Sequence, residues 1–391
     1  MKKRPAHVRN AADKTFLFLL SILLAFGTLM IYDATAVYSR GELGGAFKLV
    51  TLHITWLLIG ALCFFLFYKL DYHKLQKPSI IIFSIAALML VVLAFAGQLL
   101  PCNANFIFAP CINGANRWFF LNPAPLPSIP FLGVLGFQPS EFAKLAMIIY
   151  LAVIIAKNEG DDLAMFVAAG VISGLVFLLI LAQPNMSTAV LLLSIGMTMF
   201  FASDASIRPL LTTLPFFAGA AFFLMFGSEY RRQRFKTFLG SEDLGSDSLG
   251  SGYHIQQILI ALGSGGLFGL GPGQSIQKFK YLPEVYADSI FAIIGEELGF
   301  IGTTVFIIFY TLFIYKGFDI AKKAPDLLGR LLAVGIVSWL TFQFFINIAA
   351  MLKLIPLTGV PLPLVSYGGS STVFSLAAIG ILSNVSRQSS V

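Results

Sequence analysis

The sequence predicts an all-α polytopic membrane protein with about ten transmembrane helices and both termini in the cytoplasm. Of its 391 residues, 57% are hydrophobic and only 12% are charged, which is about half the charged fraction of a soluble domain. The mean hydropathy is +0.85. The apolar runs are continuous over about 18–25 residues, the length of a membrane-spanning helix. They do not alternate with polar residues, as the strands of a β-barrel would.

The predicted spans form a single integral membrane domain over residues 1–391. Residues 1–14 are a basic tail that leads into the first apolar run without a small-residue cleavage site. We interpret this stretch as a cytoplasmic tail before a retained span. The spans are predicted at 15–36, 49–68, 79–99, 138–156, 163–182, 186–203, 209–227, 290–316, 330–352 and 370–387.

The lysines and arginines of the loops orient the bundle. They are concentrated in the N-terminal tail, in the loop after span two and in the loop after span eight. These segments share one side of a ten-span bundle, so that side and both termini are predicted to be cytoplasmic. The acidic loop at about 157–162 falls on the same side, and the large loops at about 100–137 and 228–289 face outward. The net charge of +7 therefore reflects topology, and no nucleic-acid partner is expected.

The second outward loop breaks this trend because it is also basic. Its cations either carry no meaning, since a long loop translocates regardless of charge, or meet an anionic ligand at the outer surface. The residues are Arg231, Arg232, Arg234, Lys236, Lys278 and Lys280.

The three cysteines fall in two environments. Cys102 and Cys111 lie in the first outward loop, where they could form a disulfide or remain reduced. Cys63 lies in an apolar run and is predicted to be a packed small hydrophobe. Two thiols without a nearby histidine make a poor metal site.

Residues 252–299 are the segment around which the chain is organised. Such a long irregular stretch must sit in water or line a protein cavity, because lipid cannot satisfy its backbone groups. Six glycines between residues 263 and 273 predict close backbone packing. Without a Gly-Lys-Ser/Thr ending they do not form a nucleotide-binding loop.

Carboxylates follow these glycines. Asp288 comes just before the apolar run that begins at Ile290, and an ionisable group at the membrane boundary marks a candidate functional site. If the chain is helical from Pro283, Glu284 shares a face with Asp288, one turn away. The pair at residues 296–297 lies inside a span, and we expect one of the two to face the bundle interior.

Polar residues also lie near the outer ends of other spans. Arg117 belongs to the first outward loop, and Ser366 and Ser370 precede or open the last span. These hydroxyls could cap a helix end or contact a substrate. Glu141 and Lys144 are three residues apart on one helix face, so they either pair inside the bundle or extend to the outer surface. The Gln-Pro-Asn sequence at 183–185 is typical of a tight turn between spans.

Seven segments, in order, resemble the FtsW/RodA/SpoVE family of shape, elongation, division and sporulation proteins. A match of seven ordered segments over most of the chain is specific, whereas any one alone would be weak. The GEELG segment and residues 32–38 (YDATAVY) are more similar to FtsW than to RodA. The seven segments are GANRW, QPSEFAK, QPNMSTA, GYHIQQILIALGSGGLFGLG, QKFKYLPE, IFAIIGEELG and PLTGVPLPLVSYGGSS.

This resemblance implies a ten-span peptidoglycan glycosyltransferase that polymerises lipid II outside the bacterial cytoplasmic membrane. It also implies a class B penicillin-binding protein and other divisome or elongasome membrane proteins as partners. The family aspartate that follows Leu-Pro-Glu by four residues is Asp288 here. The family pattern Pro-Glu-x-His-Thr-Asp-Phe is changed at three positions, Tyr286, Ala287 and Ser289, and Asn185 stands where an aspartate is common.

The implied chemistry assigns roles to the remaining candidates. The reaction inverts the anomeric carbon, so a general base must take the acceptor proton, and Asp288 is the candidate. The leaving diphosphate needs cationic stabilisation, from basic side chains or from a divalent ion such as Mg²⁺ or Mn²⁺. No nucleotide or haem is expected. The predicted substrate-binding residues are Arg117, Glu141, Lys144, Lys278, Lys280, Glu284, Ser366 and Ser370.

Two other function classes compete with the polymerase. A lipid II flippase would need a hydrophilic path that is reachable from both faces. The polar motifs of this chain concentrate on the outward side, which favours chemistry there. A non-catalytic scaffold for the penicillin-binding protein would tolerate the loss of Asp288.

Overall fold

The computed structural model describes residues 12–42, 45, 47–99, 108–111, 115–122, 135–206, 251–279 and 281–389. These residues are overwhelmingly helical. A short 3₁₀ helix, Tyr72–Gln76, and a two-stranded antiparallel pair, β1 (Phe119–Phe120) and β2 (Gly136–Phe137), complete the secondary structure. The α-helices are α1 (Lys14–Glu42), α2 (Lys48–Lys69), α3 (Ser79–Leu99), α4 (Pro139–Lys157), α5 (Asp162–Leu181), α6 (Met186–Phe201), α7 (Ser251–Ser264), α8 (Ile290–Lys322), α9 (Leu327–Met351) and α10 (Gly369–Gln388).

Eight of these helices are long and apolar enough to cross a membrane. They correspond to predicted spans one to five and eight to ten. Helix α6 is a shorter apolar helix at the position of predicted span six. The predicted span 209–227 lies outside the described residues. The chain is therefore an all-α, multi-pass membrane protein, while the count of ten stays a prediction.

The bundle has a buried centre and a lipid-facing rim. Helices α4, α9 and α10 are mostly buried, whereas α2 is mostly exposed. On α2, Leu58, Leu62 and Leu66 are 66%, 71% and 61% exposed. Their spacing of four residues places them on one helix face. Exposure of such a face to water would be unfavourable, whereas lipid tails are as apolar as leucine.

The first and last helices begin and end at the same end of the bundle. The N–H of Asp13, beside the start of α1, donates to Oγ of Ser386, near the end of α10 (3.1 Å). This agrees with the prediction that the two termini share a side. The cytoplasmic assignment of that side stays a prediction.

Helix α8 is interrupted at Gly299. The glycine loop, residues 265–279, packs against this interruption. Gly299 has a left-handed backbone (φ 65°) inside α8. The loop after α7 supplies the missing partners, because its Gly266 and Leu267 carbonyls accept the N–H groups of Phe300 and Ile301 (2.9 and 3.1 Å). This confirms the predicted close backbone packing and satisfies backbone groups that lipid could not.

Replacing Gly299 with alanine is expected to destabilise the protein by about 1–3 kcal/mol. The new Cβ would lie 2.2 Å from the nitrogen of Gly269, and the backbone is left-handed. Thermal unfolding of the purified protein measures the effect. Gly170→Ala in α5 is the control, since a Cβ there meets nothing within 4 Å and alanine favours a helix. Equal stability of Gly299→Ala and wild type would contradict the prediction.

A charged cluster joins the ends of several helices far from Asp288. The 33-residue α8, about 50 Å long if straight, separates the two. In the cluster, the His73 ring lies between Asp71 (Nδ1–Oδ1, 2.8 Å) and Asp326 (Nε2–Oδ2, 2.6 Å). The buried Tyr72 donates from its hydroxyl to Asp326 (3.1 Å) and from its N–H to Asn384 (3.1 Å).

The cluster shifts the pKa values of His73, Asp71 and Asp326. The hydrogen bond with Asp326 raises the pKa of His73, against the effect of burial. Burial alone would raise the pKa of the Asp71 and Asp326 carboxyls, but their hydrogen bonds outweigh it and hold both below the usual range. At pH values below the raised pKa of His73 the cluster is therefore a cation between two anions.

The His73→Gln variant is expected to lose more stability at about pH 5.5 than at about pH 9. The pKa of His73 is raised above its unfolded value of about 6.5. Its stabilisation is thus fully present below that value and lost as the pH rises through the raised pKa. The lowered carboxyl pKa values keep Asp71 and Asp326 ionised throughout this window. Thermal unfolding at both pH values provides the test, and an equal deficit at both would exclude a contribution from the imidazolium charge.

The predicted first outward loop contains the short strand pair and a disulfide-bonded cysteine. Phe119 pairs with Phe137 in the β1–β2 register. Cys111 is disulfide-bonded, whereas Cys63 is a free thiol. Cys102 lies outside the described residues. A disulfide in this loop fits the predicted outward, oxidising side.

Candidate active site

Asp288 lies in a turn-rich segment, residues 281–289, directly before α8. The segment is not helical, so the prediction that Glu284 and Asp288 share a helix face is wrong. Glu284 is exposed and has a left-handed backbone (φ 48°). Its carbonyl accepts the N–H groups of Ala287 and Ser289 (3.0 and 3.3 Å). A folded turn therefore presents the half-buried Asp288 side chain.

Buried polar groups hold the main chain around Asp288. The amide of Asn347 in α9 donates to the carbonyls of Asp288 and Val360 (both 2.8 Å). It thereby joins the Asp288 turn to the α9–α10 link. Gly359 of that link is so close that a Cβ there would lie 3.7 Å from Oδ2 of Asp288. The carboxylate thus lies against the α9–α10 link.

Two tyrosines join the same segments a second time. The N–H of Tyr367 donates to the carbonyl of Tyr286 (2.8 Å), and the two rings meet edge to face with centroids 5.7 Å apart. Burial raises the pKa of the Tyr367 phenol, so this ring stays neutral. Because Tyr286 is two residues before Asp288, this contact attaches the Asp288 turn to the α9–α10 link a second time.

A cleft of about 290 Å³ lies beside the residues that precede Asp288. Lys278 and Glu284, both predicted to bind substrate, line it together. A ligand site of this size is at the small end of the usual range, which fits one sugar or phosphate group better than a whole lipid-linked substrate. The lining residues are Ala34, Lys278, Leu282, Pro283, Glu284, Val285 and Tyr286.

Lys278 is a buried cation held by two carboxylates. Its Nζ lies 2.9 Å from Oδ1 of Asp33, in α1, and 3.0 Å from Oε1 of Glu297, in α8. Burial alone would lower the pKa of Lys278, but the hydrogen bonds to Asp33 and Glu297 outweigh it and keep the pKa above the usual range. Lys278 therefore stays charged and ties α1, the glycine loop and α8 together.

The two glutamates inside α8 bind the backbone of the glycine loop. Both are buried, where we expected one to face the interior. Glu297 accepts the N–H groups of Gly273 and Ser275 (both 3.1 Å), and Glu296 accepts that of Ile276 (3.0 Å) and the Ser275 hydroxyl. Each of the two carboxylates thus accepts at least two hydrogen bonds from this loop. These glutamates therefore fix the loop that carries Lys278.

Glu141 and Lys144 pair inside the bundle, which confirms the first of the two predicted alternatives and excludes extension to the outer surface. Nζ of Lys144 lies 2.7 Å from Oε1 of Glu141, and the side chains are only 2% and 5% exposed. The same Nζ donates to Oε1 of Gln343 (2.9 Å) and lies 4.7 Å from the Trp339 ring centroid. Gln343 in turn donates to the carbonyl of Pro361 (2.9 Å). The pair thereby links α4 to the same α9–α10 link that contacts Asp288.

Arg117 fastens the first outward loop to the α5–α6 turn. Its guanidinium donates to the carbonyls of Gln183 (3.3 Å) and Pro184 (2.6 Å). Asn185 is the N-cap of α6 and accepts the N–H of Thr188 (3.3 Å), so the predicted turn chemistry is confirmed. Arg117 thus supports the outer end of the bundle through backbone contacts.

The predicted hydroxyls also contact the protein itself. Ser366 accepts the N–H of Leu362 (2.9 Å). Ser370 accepts the N–H of Gln138 (3.1 Å) and donates to the carbonyl of Gly136 (3.3 Å). They shape the α9–α10 link and its contact with β2. Lys280 lies outside the described residues.

The sequence of this chain is similar to those of known proteins over nearly its whole length. The profile of the FtsW/RodA/SpoVE family, described as cell cycle proteins, matches residues 13–391. The chain belongs to the FtsW/RodA/SpoVE family. It is 35% identical to stage V sporulation protein E of Bacillus subtilis (strain 168), over 97% of this chain and 98% of that protein.

Other members of the FtsW/RodA/SpoVE family support this. The chain is 33% identical to a probable peptidoglycan glycosyltransferase FtsW of Geobacter sp. (strain M18), over 96% of this chain and 97% of that protein. It also superposes on a chain from a solved structure of a peptidoglycan synthase complex that coordinates polymerisation and crosslinking. That match has a TM-score of 0.74 at 25% identity and covers 96% and 98% of the two chains.

Several site residues of this family member were missed by the sequence reasoning. Asn347, Gln343 and Asp33 hold the segments around Asp288, and His254 contacts Ser289. Asn347 and Gln343 are amides inside an apolar span, and polar groups inside spans are seldom incidental. A search for such outliers would have found both. The partners of Asp33 and His254 are hundreds or tens of residues away and give no sequence signal.

The described residues do not form a binding site for the divalent cation that was predicted for the family reaction. Among the described residues, no group of three or more His, Cys, Asp and Glu is placed to hold a metal ion. The carboxylates of Glu296 and Glu297 are occupied by the glycine loop and by Lys278. A divalent ion stays a prediction, and on this donor set it would enter with a diphosphate substrate.

Proposed function

We propose that this chain polymerises lipid II into glycan strands at the outer face of the bacterial cytoplasmic membrane, with Asp288 as general base. The observation that carries the proposal is the half-buried Asp288 carboxylate at the start of a membrane-spanning helix. Its main chain is fixed by Asn347, and the cleft with Lys278 and Glu284 is lined by residues up to Tyr286, two positions before it. The glycosyltransferase names of relatives over nearly the whole chain support the same reaction.

The chemistry requires one base and one stabilised leaving group. The donor sugar is α-linked to a diphosphate and the product linkage is β, so the acceptor hydroxyl attacks from the opposite face. Asp288 accepts the hydroxyl proton as the new C–O bond forms, and the diphosphate leaves with the electrons of the broken bond. Proton transfer by a positioned side chain contributes about 10²–10⁴-fold to a rate, so loss of Asp288 is costly.

The leaving diphosphate needs positive charge near it. Lys278 lines the cleft, so we assign it direct contact with a phosphate of the substrate. That phosphate would compete with Asp33 and Glu297 for the Lys278 ammonium group. Arg117 and Lys144 act from further away, because their groups bind backbone carbonyls and a glutamate that position the surrounding segments. Lys280 follows Lys278 by two positions in the sequence and is a second candidate.

We further propose a class B penicillin-binding protein as partner and a role in division or sporulation. The similarity to a chain of a peptidoglycan synthase complex supports the partner. The similarity to sporulation protein E and to FtsW supports the process. Neither a nucleotide nor a haem has a role in this reaction.

The test is a polymerisation assay with the purified full chain, its penicillin-binding partner and lipid II. Glycan chains, resolved by electrophoresis after blocking the transpeptidase, are the expected product. If no chains form, the protein is placed in vesicles and lipid II translocation is measured. Translocation without polymerisation would overturn the proposal in favour of a flippase, and neither activity would favour a scaffold.

A further inference from the structure

The turn that carries Asp288 is held from a third side by helix α7. Nε2 of His254, one turn into α7, lies 2.7 Å from Oγ of Ser289. Ser289 is completely buried and is the residue between Asp288 and α8. With Asn347 on the carbonyl of Asp288, the chain at the catalytic candidate and at the residue after it is thereby attached to two other helices.

The Ser289 hydroxyl does not make the hydrogen bond that a serine at a helix N-cap usually makes. Ser289 is the N-cap residue of α8, yet its side chain makes no capping hydrogen bond. Serine is among the most stabilising N-cap residues. Here the hydroxyl turns away from its own helix and binds an imidazole 35 positions away in the sequence. The contact to His254 therefore replaces a local capping bond.

The link belongs to this chain rather than to the general family pattern. The pattern described above has phenylalanine after the aspartate, and a phenyl ring cannot hydrogen-bond to an imidazole as a hydroxyl does. The change to Ser289 thus supplies the hydroxyl that His254 contacts. This contact adjoins the candidate base, which indicates a positioning role.

We infer that His254 is a positioning residue for the glycosyl transfer, acting through Ser289 to fix the Asp288 carboxylate relative to the cleft. This inference rests on the proposed function. Catalytic groups must be held within about 0.5 Å of the productive geometry. A misplacement of about 1 Å can cost about 10²-fold in rate. Losing the His254–Ser289 bond removes one of the three attachments of the Asp288 turn.

The experiment compares polymerisation kinetics of the full chain with its penicillin-binding partner. His254→Leu removes the hydrogen bond, whereas His254→Gln retains a group that can bond the hydroxyl. We expect His254→Leu to lower kcat about 10- to 100-fold with KM changed less than about threefold, and His254→Gln to recover most of the rate. Gln256→Leu, an exposed polar residue on the same helix, is the matched control and should behave as wild type.

A second variant keeps the test informative if leucine disturbs α7. Ser289→Ala removes the same bond from the other side, so its kcat should fall as in His254→Leu. The double variant should be no slower than either single one, because both remove one interaction. Equal rates for wild type and both single variants, or equal losses in the leucine and glutamine variants, would overturn the inference.

The outcome separates this inference from the proposed function. If wild type polymerises lipid II and Asp288→Asn does not, the base assignment stands, and a fully active His254→Leu refutes only the positioning role. If wild type makes no polymer, the proposed function fails first. Thermal unfolding of each variant shows whether a lower rate reflects loss of folded protein.

Discussion

Replacing Asp288 with asparagine is expected to abolish glycan polymerisation, with a loss of at least about 10²-fold in kcat. Asparagine has the size of aspartate but cannot accept the acceptor proton. The fold should tolerate the change, because Asn347 binds the main-chain carbonyl of Asp288 and not its carboxylate. Lipid II binding should therefore persist while product formation stops. The measurement is glycan chain formation from lipid II with the partner present.

Two controls sharpen this prediction. Glu159→Gln removes a carboxylate that is exposed on the link between α4 and α5, so it should leave polymerisation unchanged. Thermal unfolding of Asp288→Asn should match wild type. Polymerisation by Asp288→Asn at the wild-type rate would show that another group is the base.

Replacing Lys144 with methionine is expected to destabilise the protein by about 3–5 kcal/mol, the usual cost of breaking a buried ion pair. Methionine fills much of the same volume but leaves the Glu141 carboxylate buried without its cation. The other oxygen, Oε2, has no hydrogen-bond partner among the described residues, so little remains to compensate the charge. Unfolding of the purified protein by heat or denaturant measures the loss.

The matched control is a lysine in an exposed pair of similar geometry. Lys323 lies 3.0 Å from Asp319 and is 59% exposed, so Lys323→Met should change stability by less than about 1 kcal/mol. The double variant Glu141→Gln/Lys144→Met should regain much of the loss, because no charge stays buried. A single variant as mild as the Lys323 control would contradict the prediction.

The double variant also separates two roles of Lys144. If Lys144 only supports the α9–α10 link through Gln343, the stable double variant should retain most of its polymerisation. If Lys144 binds the diphosphate, the rate should stay low although stability returns. The ratio of rate to folded protein decides between them.

Much of the architecture could be predicted from the sequence because lipid imposes a strong local rule. A spanning segment must be helical and apolar over about 20 residues, so hydropathy located α1 to α6 and α8 to α10, with errors of several residues at their ends. Helix α7 lies in the stretch predicted to be an irregular loop, and that prediction is wrong there. The six glycines between residues 263 and 273 predicted close backbone packing. The spacing of Glu141 and Lys144 predicted a shared face, since three residues make almost one helical turn.

The sequence alone thus determined the fold class, the position of the spans and the place of Asp288 before α8, because each depends on neighbouring residues. Only the tertiary structure decided which polar groups meet. It paired Lys278 with Asp33 across 245 positions, joined Asn347 to the Asp288 carbonyl and turned the Ser289 hydroxyl toward His254. Such contacts arise when helices distant in the chain pack together and buried polar groups must find partners, and no local pattern encodes that choice.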